Sequence, residues 1–230
     1  MRFNPKIIFL FVFAIDLIVI ILHLLLSSNF NFFNFDWESN LPTIYQGLKL
    51  VLIGAIFFAI TLLLKITKQI KDRNLLLFWF GLALLLILMG FDEAAQIHEF
   101  FPLYIAELFP KFADWYTNVF RAIGFNSSIW IAYLLPIFPI FLLWLLKVAK
   151  TAKNKYGKNL LKLLFGFALI FIGAFVFEFI GTTNEIFFSN WFEVVMIFEE
   201  SFELFGATII LYYAISEIAL LSQDIKKGQV

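Results

Sequence analysis

Long apolar runs alternate with short polar breaks along the whole chain. The runs cover approximately 7–26, 44–64, 75–97, 129–146, 160–183 and 202–221. A helix crosses a hydrocarbon core of about 30 Å with about 20 apolar residues. Within that core a chain must satisfy its own backbone hydrogen bonds, which leaves helices and closed barrels. The pattern predicts an all-α, polytopic membrane protein: six transmembrane helices in one bundle, forming a single integral membrane domain over 1–230. The third run reaches bilayer length only by continuing into the polar stretch "DEAAQIHE". Arg2 and Lys6 precede the first run, but no small-residue cleavage site follows it, so an uncleaved first helix is expected. Three connecting segments, "NFNFFNFDWESN", 99–128 and "NEIFFSNWFEVVMIF", mix aromatic and charged residues. They read as interfacial helices lying flat on the extracytoplasmic side. No internal repeat is evident, and nothing pairs the two halves of the chain.

Composition agrees with this class. Hydrophobic residues make up 62% of the 230, where a soluble domain has roughly 45–50%. With no cysteine, disulfides, thiolate metal sites and cysteine nucleophiles are excluded.

The formal charge of zero conceals a polarised molecule. Arg2, Lys6, Lys65, Lys68, Lys71, Arg73, six lysines over 147–162, Lys226 and Lys227 all fall on one side of the six-span topology. Lys49, Lys111 and Arg121 fall on the other. Basic loops stay inside, so a plasma-membrane protein with both termini cytoplasmic is expected. Most acidic residues gather at the opposite end, which topology does not require, since acids contribute little to orientation.

Several of these acids lie at one depth. Asp92 is 17 residues past Leu75 and Glu178 is 18 past Leu160, or about 26 Å of helix in each case. His23 lies at a similar depth on the first helix, and Glu199, Glu200 and Glu203 open the sixth span. If the third helix continues unbroken, Asp92, Gln96 and Glu99 share a face at i, i+4, i+7. Glu178, Thr182 and Glu185 form a similar stripe. Asp16, deepest of the acids, is seven residues before His23 on the same face. It reads either as a step in a proton path or as a protonated, hydrogen-bonded acid.

Carboxylates brought together at low dielectric repel. Shared protons, a cation, basic side chains or water relieve that repulsion. Arg121 is the best basic candidate. In the metal reading, His23, Asp92, His98, Glu99, Glu178, Glu200 and Glu203 hold a divalent ion (zinc, manganese or iron). Glu93 is then the general base, acting on a lipid or lipid-linked substrate. Carboxylate-rich helix bundles hold metal this way, but the Glu-x-x-His pair is absent, with Ala95 three before His98. The second imidazole of a zinc-protease helix is missing too, as is the Glu-Glu-x-x-x-Arg pattern of membrane CAAX-type proteases. Two further readings are a cation or proton transporter or channel, and a non-catalytic module docking a basic partner. The bland alternative is a hydrated set of interfacial acids. No nucleic-acid partner is expected.

"FDEAAQIHE" and "FEESFELFG", which carry the pair DExxxxHE and EExxE, resemble motifs in bacterial multi-pass membrane proteins. The resemblance covers the whole chain and implies no activity or substrate.

Overall fold

The computed structural model describes residues 4–35, 40–67, 73–122, 160–181 and 189–226, together with scattered positions between 130 and 150. Seven α-helices are described at length: α1 (Pro5–Leu26), α2 (Leu41–Ile66), α3 (Arg73–Ala95), α4 (Ile97–Leu108), α5 (Pro110–Ala122), α6 (Leu160–Gly181) and α7 (Ser189–Lys226). Five of them, α1, α2, α3, α6 and α7, are long and apolar enough to cross a membrane. The expected span over 129–146 lies mostly outside the described residues, as do Thr182 and Glu185.

The helix starts follow local chemistry. Asn4 caps α1 by accepting from the Lys6 N–H at 3.1 Å, and Pro5 occupies the first turn. Asn40 caps α2 in the same way, accepting from the Thr43 N–H at 2.7 Å. Two expected boundaries are corrected. The third span does not run on to residue 97: α3 ends at Ala95, Gln96 takes a left-handed conformation (φ 56°), and α4 starts at Ile97. Residues 189–201, expected partly as a flat interfacial segment, are instead the first turns of α7, so Trp191, Phe192 and Glu193 belong to a long helix.

Two antiparallel helix pairs dominate the packing, α2 with α3 and α6 with α7. Between helices in lipid, the hydrophobic effect offers little drive, and close backbone approach supplies dispersion contacts instead. Glycines make that approach possible here. A Cβ on Gly90 would stand 2.6 Å from the Gly47 carbonyl oxygen, and one on Gly206 would stand 2.7 Å from that of Gly166.

α7 joins the two pairs. One apolar core, including Phe57, Ile60, Leu64, Trp79, Leu211 and Tyr213, fills the seam toward the lysine-rich end. A smaller one, Val19, Phe35, Met196 and Leu204, lies toward the acidic end. The outward apolar side chains of α1, among them Leu10, Phe11, Ile18 and Leu25, are exposed, as suits a helix facing lipid.

Candidate functional site

Two polar constellations stand inside this apolar frame. The deeper one centres on Asp16 of α1 and Lys49 of α2, which form an ion pair at 2.8 Å with almost no solvent exposure. Asp16 Oδ1 accepts from Lys49 Nζ and, at 2.7 Å, from the Tyr45 hydroxyl. Asp16 Oδ2 accepts from the Thr208 hydroxyl of α7. Lys49 also donates to the Leu204 carbonyl at 2.9 Å and to Thr208 Oγ1 at 3.3 Å. An ammonium has three donors, and all three are engaged. The sequence reading counted Lys49 with the bases of the acidic side. It is 5% exposed, buried in the first third of α2 and paired with Asp16. Asp16 is hydrogen-bonded, but in an ion pair with a lysine, where the expectation had a protonated acid.

Gln46 lies one turn before Lys49. It is 1% exposed, and neither end of its amide finds a hydrogen-bond partner among the described residues.

The second constellation is the acidic cluster, and here residues from three helices do converge. Glu203 of α7 lies within electrostatic reach of Asp92 and Glu93 at the end of α3, Glu178 of α6, and Glu200 of its own helix. Glu199 lies within electrostatic reach of Glu178, Glu200 and Glu203. Local backbone produces this meeting. Residues Ile172–Phe177 form a π-helical stretch immediately before Glu178, a distortion that shifts helical register and recurs at functional sites. Within it, a Cβ on Gly173 would stand 2.8 Å from the Glu199 carbonyl and 2.7 Å from Glu203 Cγ. Only glycine lets the glutamate-bearing turn of α7 come so close.

The motif residues after Glu93 divide. Because the chain turns at Gln96, Asp92, Gln96 and Glu99 do not share a continuous helical face. Asp92 instead reaches across the break: Oδ1 accepts from the His98 N–H at 2.8 Å, and Oδ2 lies 3.1 Å from His98 Nδ1. The carboxylate thus caps α4 from outside and holds the imidazole in place. Burial disfavours protonation of His98. The hydrogen bond and charge of Asp92, with the charges of Glu93 and Glu99, outweigh it and raise the pKa above the usual histidine value. The ring also packs against Trp130, centroids 4.7 Å apart. Glu99 is exposed in the first turn of α4, where a negative charge suits the helix dipole.

His23 shares a buried face with Asp16, as expected. Its Nδ1 accepts from the Phe35 N–H at 3.2 Å, and its ring stacks on that of Phe35 at 4.2 Å. This contact ties the α1–α2 connection back onto α1. Arg121 lies exposed on α5. Among the described residues, no three His, Asp or Glu side chains are grouped so as to hold a metal ion.

Sequence reasoning missed Tyr45, Gln46, Lys49 and Thr208 as site residues. A signal existed for one of them: a lysine within an apolar run is by default a functional position.

Five helices long and apolar enough to cross a membrane, a buried ion pair and a carboxylate cluster mark an all-α chain of the membrane class with a polar interior. The chain belongs to the DUF8692 family, a domain of unknown function, which it matches over residues 7–216. No curated protein and no solved structure matches it.

Proposed function

We propose that this is a proton- or cation-handling membrane protein of the transporter or channel type. It has six spans, cytoplasmic termini, and its acidic cluster near the outer surface. The observation that carries this reading is the convergence of Glu178 of α6 and Glu199, Glu200 and Glu203 of α7 with Asp92 and Glu93 of α3. Carboxyl groups crowded together at low dielectric are relieved by a shared proton or a bound cation. Glu203 faces Asp92, Glu93, Glu178 and Glu200, and carboxyl groups crowded in this way favour binding a proton or a cation. The polar interior also continues inward: the residue after Glu203 is Leu204, whose carbonyl binds Lys49.

Infrared spectroscopy of the reconstituted protein at neutral pH tests the shared proton. A protonated-carboxyl carbonyl band is expected, lost in both Glu178→Gln and Glu199→Gln. Proteoliposomes loaded with a pH dye test the transport. Wild type is expected to pass protons or a monovalent cation down an imposed gradient, and Glu199→Gln to slow this by about tenfold or more, in line with loss of a relay group. Absence of the carbonyl band, together with no flux, overturns the reading.

A second reading is a metal-dependent, hydrolase-like enzyme acting on a lipid or lipid-linked substrate. The Asp92–His98 pair favours it: a carboxylate on Nδ1 fixes the tautomer and leaves Nε2 for a ligand or a proton. Stoichiometric zinc, manganese or iron in purified protein, lost on His98→Ala, supports this reading. Metal content that ignores His98 dismisses it.

A further inference from the structure

The contacts at the two glycine seams correspond residue by residue. In the first pair, a Cβ on Gly47 would meet the Gly90 carbonyl and Ala94, one on Gly54 the Ala83 carbonyl and Ile87, and one on Gly90 the Gly47 carbonyl and Val51. In the second pair, Gly166 would meet the Gly206 carbonyl and Ile210, Gly173 the Glu199 carbonyl and Glu203, and Gly206 the Gly166 carbonyl and Ile170. Adding 119 to each position of α2 (47 to 166, 51 to 170, 54 to 173) and 116 to each position of α3 (83 to 199, 87 to 203, 90 to 206, 94 to 210) converts one seam into the other. The same shift aligns Gly47-x-x-Leu-x-x-Ile-Gly-Ala-x-x-Phe58 with Gly166-x-x-Leu-x-x-Ile-Gly-Ala-x-x-Phe177. Among apolar segments such identity alone carries little weight, but here it falls in the register that the contacts define. The expectation that no internal repeat exists is therefore corrected.

The two seams run in opposite directions. α2 begins at the acidic end, where Gly47 lies beside Gly90 and Ala94 near Asp92 and Glu93, and Gly54 is deeper. α6 begins at the lysine-rich end, so Gly166 is deep and Gly173 lies beside the glutamates. Equivalent helices of opposite direction require an odd number of spans per half. The same offset carries α1 onto 124–145, over the run expected as the fourth span.

The Asp16–Lys49 network lies across the junction of these halves. Asp16, Tyr45 and Lys49 come from the first, and Thr208 and the Leu204 carbonyl from the second. On its lysine-rich side the junction is sealed by apolar packing, with Phe57 and Trp79 of the first half against Tyr213 of the second. On its other side stand the carboxylates. Inverted halves have two related arrangements, exchanged by rocking one against the other.

We propose that the protein consists of two inverted three-helix halves, and that the Asp16–Lys49–Thr208 network is the latch holding them closed at the lysine-rich end. Release of the latch opens that end. The proposal concerns conformation and stands whether or not protons are the cargo.

The natural absence of cysteine makes thiol labelling the test. Leu211, 3% exposed, is one turn past Thr208 on the same face of α7. Ala83, 1% exposed, lies inside the α2–α3 pair. Each is changed to cysteine in the full chain, reconstituted in liposomes, with the latch intact or neutralised as Asp16→Asn/Lys49→Met. A soluble maleimide is expected to label Leu211→Cys about tenfold faster or more when the latch is neutralised, by raising the open population, and to leave Ala83→Cys unreactive. Thr208→Val, which cuts the two inter-half bonds through the Thr208 hydroxyl and leaves the ion pair and the bond to the Leu204 carbonyl, is expected to shift labelling the same way. Unchanged Leu211→Cys labelling in both backgrounds overturns the latch. Equal gains at Leu211→Cys and Ala83→Cys overturn it too, because they report general loosening.

Discussion

Asp16 and Lys49 are 33 residues apart in sequence and 2.8 Å apart in space, each buried in a helix that faces lipid elsewhere. Neither charge is tolerable there alone. Removing one member of a buried pair leaves an uncompensated charge at a cost of about 3–5 kcal/mol, whereas replacing both by apolar residues is often neutral. Asp16→Leu and Lys49→Met are each expected to lower thermal stability by about that much. The double variant should recover most of the loss. Thermal unfolding of all four proteins in one detergent measures the coupling; additive losses would show that the pair is not a unit.

Glycines at the seams and away from them differ sharply in tolerance. Gly90→Ala and Gly206→Ala would place a methyl 2.6–2.7 Å from a facing carbonyl oxygen, and forced separation of packed helices costs about 1–3 kcal/mol. Among the described residues, Gly181→Ala would meet only Val195 Cγ1, at 3.7 Å, and is expected to be neutral. Parallel melting curves decide this, and equal effects at the three positions would contradict the packing described.

The acidic cluster holds like charges together at a cost in stability. Glu203→Gln removes one acid from the crowd and is expected to raise the melting temperature, by the equivalent of about 1 kcal/mol, while impairing whatever the cluster does. A lowered melting temperature would mean that the Glu203 charge is compensated by something the acids themselves do not supply.

His98 couples the α3–α4 break to pH. Its pKa in the folded protein is raised, so the Asp92–His98 contact contributes fully below the unfolded value of about 6.5. The contribution fades as pH rises through the higher folded value. Asp92 is 37% exposed, and screening holds the effect to about 1 kcal/mol or less. Amide hydrogen exchange over α4, corrected for intrinsic rates, is expected to quicken on going from mildly acidic to alkaline pH. His98→Gln should abolish that dependence, and a pH response that survives the substitution would assign it elsewhere.

Reporter fusions test the topology. The segments around Lys68 and Lys153 and both termini should report one side of the membrane, with α4 and α5 on the other. A reporter at residue 153 on the opposite side from the N-terminus would remove a span and, with it, the inverted arrangement.

The extents of α1, α2 and α6 and the membrane class were legible in the sequence. Apolar length is a one-dimensional property, and lipid imposes it on each helix separately. The convergence of Asp92, Glu93, Glu178, Glu199, Glu200 and Glu203 was partly legible for the same reason, because rise per residue converts position into depth. Azimuth and partners were not. Gln96 turns the chain at a point where helical periodicity continues without interruption. The π-helical stretch before Glu178 has no composition of its own. Lys49 carries the same charge whether it lies at a surface or against Asp16, and only the tertiary structure decided between the two, because burial without a partner is prohibitive and the partner comes from another helix. The repeat stayed hidden for a related reason: packing constrains just the few small residues at each seam, and lipid accepts almost any apolar side chain between them.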